Sequence, residues 1–141
     1  IGEIQNYKYH GKGTYLYANG NVYIGEFSDG IQNGKGKFSF SNGDEYEGTF
    51  KNGLFDGKGQ AKFSNGEKYI GQYKNDLPHG KGTQIFSNGD KFTGEFSYGV
   101  KEGFGVLIYQ NGDKYEGEFK NNMFNGSGEM TRKDGTIKRT I

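Results

Sequence analysis

Cysteine and tryptophan are absent from this chain, and proline occurs once, at Pro78. Without cysteine there is no disulfide framework, no thiol nucleophile and no cysteine-based zinc site. The single proline excludes collagen-like and proline-rich linker classes. Aliphatic residues are scarce, and no apolar run approaches the length of a membrane-spanning helix. Charge of one sign is also missing: 18 Lys and Arg stand against 17 Asp and Glu, a weak footprint for nucleic acid, which is not expected as a partner.

What the chain does have is glycine and aromatic rings: 27 Gly, 11 Tyr and 12 Phe. Their placement is periodic. Tyr23, Tyr46, Tyr69, Phe92 and Tyr115 are spaced by 23 residues, and each opens the pattern aromatic-x-Gly-x-aromatic, as in YIGEF, YEGTF and FTGEF. Gly-x-Gly follows at Gly34, Gly57, Gly80, Gly103 and Gly126, with an earlier copy at Gly11. A turn dipeptide closes each unit, from Asn19-Gly20 to Asp134-Gly135. Every glycine falls in one of these repeat columns or in a fifth one shared by Gly30, Gly53 and Gly99. A fixed period of this length is the mark of a repeat array, and constant register over six copies outweighs any single local motif.

The aromatic-x-Gly-x-aromatic segments have a period of two, which predicts strands, and nothing recurs with helical spacing. Asn-Gly supplies the positive φ that tight antiparallel turns require. Each unit is therefore read as a β-hairpin. Tyr46, Gly48 and Phe50 point to one face, joined by Gly57, Gly59, Ala61 and Phe63, while Glu47 and Thr49 point to the other. Rings are expected to lie over neighbouring glycines, which have no Cβ to obstruct them. The second face carries mixed charges, among them Glu26, Glu95, Glu116, Lys35 and Lys58, arranged for cross-strand pairing.

These residues resemble MORN repeats (membrane occupation and recognition nexus): YEGTFKNGLFDGKGQAKFSNG, from Tyr46 to Gly66, follows the family pattern throughout. The chain departs from it where the second aromatic is never Trp, and where the histidine before Gly-x-Gly survives only as His10 and His79. The resemblance implies an all-β fold: an elongated, twisted, single-layer antiparallel sheet of consecutive hairpins with an aromatic concave groove. The expected organisation is one array over residues 1–141, with units 1–22, 23–45, 46–68, 69–91, 92–114 and 115–137 and a C-terminal cap at 138–141.

No catalytic residue emerges. Gly-x-Gly lies inside strands, with no following helix and no Lys-Ser/Thr, so it does not read as a phosphate loop. His10 and His79 share a column three repeats apart, too far for a common metal, and read as loop-shaping residues. Asp44-Glu45 sits beside a turn and reads as turn chemistry rather than an acid/base dyad. No metal and no cofactor is expected, and the chain is not expected to be an enzyme.

The expected function is a scaffold that presents its aromatic groove to a helix or extended segment of a partner protein. The resemblance implies a cytoskeletal, ciliary or membrane-associated assembly on the cytoplasmic side. Groove residues are expected to be Phe50, Phe63, Tyr69, Tyr73, Phe86, Phe92, Phe96, Tyr109, Tyr115 and Phe119. The alternatives are a peripheral membrane module, in which Lys68, Lys91 and Lys114 contact anionic phospholipid, and an accessory array of a larger enzyme. The N-terminal edge, around Glu3 to Tyr7, is expected to be open and capable of self-association through unpaired strand groups.

Overall fold

A computed structural model describes residues 3–5 and 8–140, with side chains from His10 to Arg139. It contains β1 (Glu3–Gln5), β2 (Lys8–Leu16), β3 (Val22–Ser28), β4 (Ile31–Ser39), β5 (Glu45–Lys51), β6 (Leu54–Lys62), β7 (Lys68–Lys74), β8 (Leu77–Ile85), β9 (Lys91–Ser97), β10 (Val100–Ile108), β11 (Lys114–Lys120), β12 (Met123–Thr131) and β13 (Ile137–Thr140). All thirteen form one sheet in sequence order, each strand antiparallel to the next. There is no helix among the described residues. Each strand packs chiefly against its sequence neighbours, so the sheet stays open, with β1 and β13 at its edges. Within the segment expected to form an open N-terminal edge, Asn6 and Tyr7 lie outside the described residues, while Ile4 pairs with Tyr9.

Two kinds of turn alternate along the array. At the first, the Gly43 N–H donates to the Phe40 carbonyl (3.0 Å) and the Phe40 N–H to the Asp44 carbonyl (2.8 Å). This is a three-residue loop in which Gly43 alone is left-handed (φ 101°), and the Asn42 side chain accepts from the Asp44 N–H (2.9 Å). The second is a two-residue turn between Lys51 and Leu54, with both Asn52 (φ 51°) and Gly53 (φ 82°) left-handed. That geometry is the type I′ hairpin, whose twist matches the flanking strands.

A bulge after each type I′ turn sets the strand faces. Gly48 pairs with Gly59 and Phe50 with Phe55, so Asp56, Gly57 and Lys58 together oppose the single residue Thr49. Gly57 adopts φ 93° there, and a Cβ on it would approach Thr49 rather than the rings. The expectation that Gly57 continues the aromatic face by simple alternation is corrected accordingly. The bulge brings Phe55 onto that face instead.

The rings form the core. Each first aromatic folds back across a pair of glycines on adjacent strands: a Cβ added at Gly59 would stand 2.4 Å from the Tyr46 ring, and one added at Gly48 would stand 2.5 Å from the Gly59 backbone and 2.8 Å from the Tyr46 hydroxyl. The Tyr46 hydroxyl then donates to the Thr49 carbonyl (2.8 Å), and Tyr23 and Tyr69 do the same to Glu26 and Gln72 (2.7 and 2.8 Å). Edge-to-face contacts link the rings across repeats: Tyr23–Phe50 at 5.0 Å, Tyr46–Tyr73 at 5.0 Å, Tyr69–Phe96 at 5.2 Å and Phe92–Phe119 at 4.9 Å. Within each strand the two rings meet in the same geometry, as Tyr46–Phe50 does at 5.2 Å. Such pairs contribute roughly 0.5–1.5 kcal/mol each beyond the area they bury, and here they form an unbroken zigzag from Phe27 to Tyr115.

Candidate functional site

The buried zigzag is the floor of the aromatic face. Seven of the ten expected groove residues belong to it: Phe50, Tyr69, Tyr73, Phe92, Phe96, Tyr115 and Phe119 are all buried. Their period-two placement fixed the face but not the depth. Of the other three, Phe63 is exposed at 41% and Phe86 and Tyr109 are half-buried. These belong to a separate row, Tyr17, Phe40, Phe63, Phe86 and Tyr109, with one ring at the start of each of the first five three-residue loops and Arg132 at the sixth. Tyr17 and Phe40 join it through Phe38, at 5.5 and 4.7 Å between ring centroids.

A further column covers the floor, one residue per repeat just after each type I′ turn: Gln32, Phe55, Pro78, Lys101 and Phe124. Phe55 stacks on Tyr46 and Phe124 on Tyr115, both at 3.9 Å. The Gln32 amide instead donates to the Tyr17 hydroxyl. Lys101 places its ammonium 5.1 Å from the Phe86 centroid and 5.5 Å from that of Phe92. Burial lowers its pKa from the ordinary lysine value, and the charge of Glu67 opposes that shift.

Two cavities open along this face. One of about 280 Å³ lies where Ala61 and Gln84 replace the ring found at Tyr15 and Phe38, with Phe40, Phe55 and Phe63 around it. The other, about 400 Å³, is bounded by Phe86, Lys101, Leu107, Met123 and Phe124. Buried hydroxyls below are neutral: burial pushes Tyr69 up to about 12, and burial with the Glu26 charge does the same for Tyr23.

Side chains at both margins clasp one repeat to the next. Asp44 accepts from the Ser64 N–H and Asp90 from the Gln110 N–H, each at 2.8 Å. At the opposite margin, Asn33, His79 and Glu102 accept from the N–H groups of Asn52, Tyr98 and Asn121, at 3.1, 3.1 and 2.9 Å. His79 is thus a turn clasp, as its column implies, and its ring also packs on Tyr98 at 4.2 Å. Among the described residues no three His, Asp or Glu side chains converge as metal ligands do.

The opposite face is less polar than the sequence suggests, because Ile24, Ile70 and Phe104 are exposed there. Of the lysine row, Lys114 pairs with Glu116 (3.1 Å), Lys68 faces Lys62 across the β6–β7 pair, and Lys91 faces Ile85.

Comparison with known proteins bears on this geometry. The family model described as MORN repeat matches residues 1–22, 23–45, 46–68, 69–91, 92–114 and 115–137. No curated protein sequence matches the chain. Among solved structures, the SAS-4 TCP domain in complex with a proline-rich motif of Ana2, from Drosophila melanogaster, is 18% identical. That alignment covers 93% of this chain and 84% of the other, with a TM-score of 0.43. Selenomethionine-substituted virginiamycin B lyase from Staphylococcus aureus is 13% identical over 92% of this chain and 55% of the other, with a TM-score of 0.24. Both likenesses are too distant to bear on function.

Proposed function

The chain belongs to the MORN-repeat family, a class of non-catalytic interaction repeats, and on that premise we propose that it is a scaffold whose aromatic face binds a helix or extended segment of a partner protein. One observation carries this reading: accessible rings recur once per repeat in a row, Tyr17 to Tyr109, above a floor that is already packed. The floor stabilises the sheet without the row, so the row's apolar surface is left available for a partner, and accessible aromatic strips of this kind mark interaction sites. The proposal includes a cytoskeletal, ciliary or membrane-associated setting on the cytoplasmic side, which rests on the family resemblance alone, and no catalytic activity of the chain itself. The lipid reading has less support, since one of its three lysines is ion-paired and exposed Glu side chains interleave with them.

Selection from a random peptide display library tests the reading. The wild-type chain should enrich a defined set of peptides. A folded Phe63→Ser/Phe86→Ser variant should lose them, and Lys35→Glu/Lys58→Glu on the other face should keep them. Retention by the ring variant, or no enrichment at all, would contradict it.

A further inference from the structure

The cover column is apolar or neutral in four of its five described repeats and cationic in one. At that one, Lys101 is held in place from both sides: its N–H donates to the Asn122 side chain (2.8 Å) and its carbonyl accepts from the Asn122 N–H (3.2 Å). These bonds hold the Lys101 backbone, and its ammonium lies over the ring faces of Phe86 and Phe92, 5.1 and 5.5 Å from their centroids. Among the described residues no carboxylate lies within ion-pair distance of it. Asp90, which borders the same cavity, is occupied by the Gln110 N–H (2.8 Å) and the Asn88 amide (3.3 Å). The result is a half-buried cation at the wall of a cavity of about 400 Å³ whose apolar lining includes Phe86, Leu107, Met123 and Phe124 and whose polar lining is Asn88, Asp90 and Asn122.

Building on the reading above, we propose that this cavity takes a partner peptide segment carrying an Asp or Glu flanked by large apolar side chains, with the carboxylate paired to Lys101. The reasoning is charge complementarity in a partly desolvated place. A cation kept among rings gains more from an opposite charge than one in water does. A bound carboxylate would also fix the register of the peptide on the array. The accessible rings recur in five successive repeats and cannot do this themselves, whereas a lysine occurs once in the cover column, at Lys101.

Peptides selected on the wild-type chain provide the probe. They should share an acidic residue, and its replacement by Asn or Gln should weaken binding to the wild type about tenfold, the size of one fixed charge pair. Against Lys101→Met the same replacement should make little difference, and Lys101→Arg should restore most of it. Circular dichroism melts should show all variants folded, because Phe and Pro fill the same position elsewhere. Selected peptides with no common acid, or an acid whose loss matters equally against Lys101→Met, would overturn the assignment while leaving the groove reading intact. Failure to select any peptide would overturn both. Displacement of the peptide by phosphatidylserine vesicles in a Lys101-dependent way would transfer the site to lipid and overturn it as well.

Discussion

An added Cβ at Gly59 would run into the Tyr46 ring, whereas at Gly66 it would meet nothing within 4 Å. The second position needs glycine only for its backbone, at φ 95°. Gly59→Ala should therefore lower stability by about 3 kcal/mol, because the ring must move, and Gly66→Ala by about 1–2 kcal/mol, the left-handed penalty alone. Urea unfolding would show this, and equal losses would contradict the account of ring on glycine. The tyrosine hydroxyls make a second residue-scale case. Tyr23 is held near 12 by burial and by Glu26, above the ordinary value of 10.0, so the folded chain retains that proton more tightly than the unfolded one. Its contribution is complete below pH 10 and lost as pH rises from there towards 12. Tyr23→Phe should consequently cost less stability at pH 11 than at pH 8. An equal cost at both would contradict the buried, neutral hydroxyl.

At the scale of the hairpin, the turn clasps decide how firmly one repeat seats on the next. The His79 ring nitrogen accepts from the Tyr98 N–H as Asn33 does from Asn52. His79→Leu should speed hydrogen exchange at Tyr98 and lower stability by about 1 kcal/mol, while His79→Asn should keep the amide protected. Indistinguishable exchange in the three chains would remove the clasp from the account. These elements also show where the sequence was readable. The strands and the Asn-Gly turns were legible because aromatic-x-Gly-x-aromatic, Gly-x-Gly and the turn glycine recur at constant register. The type I′ turns were not, because their two residues vary: Asp29-Gly30, Asn75-Asp76, Tyr98-Gly99 and Asn121-Asn122 share a backbone conformation but no dipeptide. The cover column escaped notice for a similar reason. Phe55, Pro78 and Lys101 have no chemistry in common, and only the three-to-one bulge brings them over the rings. Alternation likewise showed which side Tyr69 and Phe92 face, but it carries no information on what covers them.

Over the whole molecule, thirteen strands in sequence order make an open ribbon whose stability runs through neighbours, as in other repeat arrays. The ring zigzag gives the ribbon one continuous floor, and the row above it repeats with the strand pairs, at about 9.6 Å per repeat. That regularity suits a long segment laid across the strands, and the cavities at Ala61 and Lys101 break it at two places where side chains of a partner can enter. Nuclear magnetic resonance of the isotope-labelled chain with a selected peptide tests this most directly, through intermolecular contacts between peptide protons and protein side chains. The account predicts contacts to Phe40, Phe63, Phe86 and Tyr109, with Ile24, Lys35 and Ile70 on the opposite face unaffected. Contacts to Ile24, Lys35 and Ile70, with the ring row silent, would contradict it.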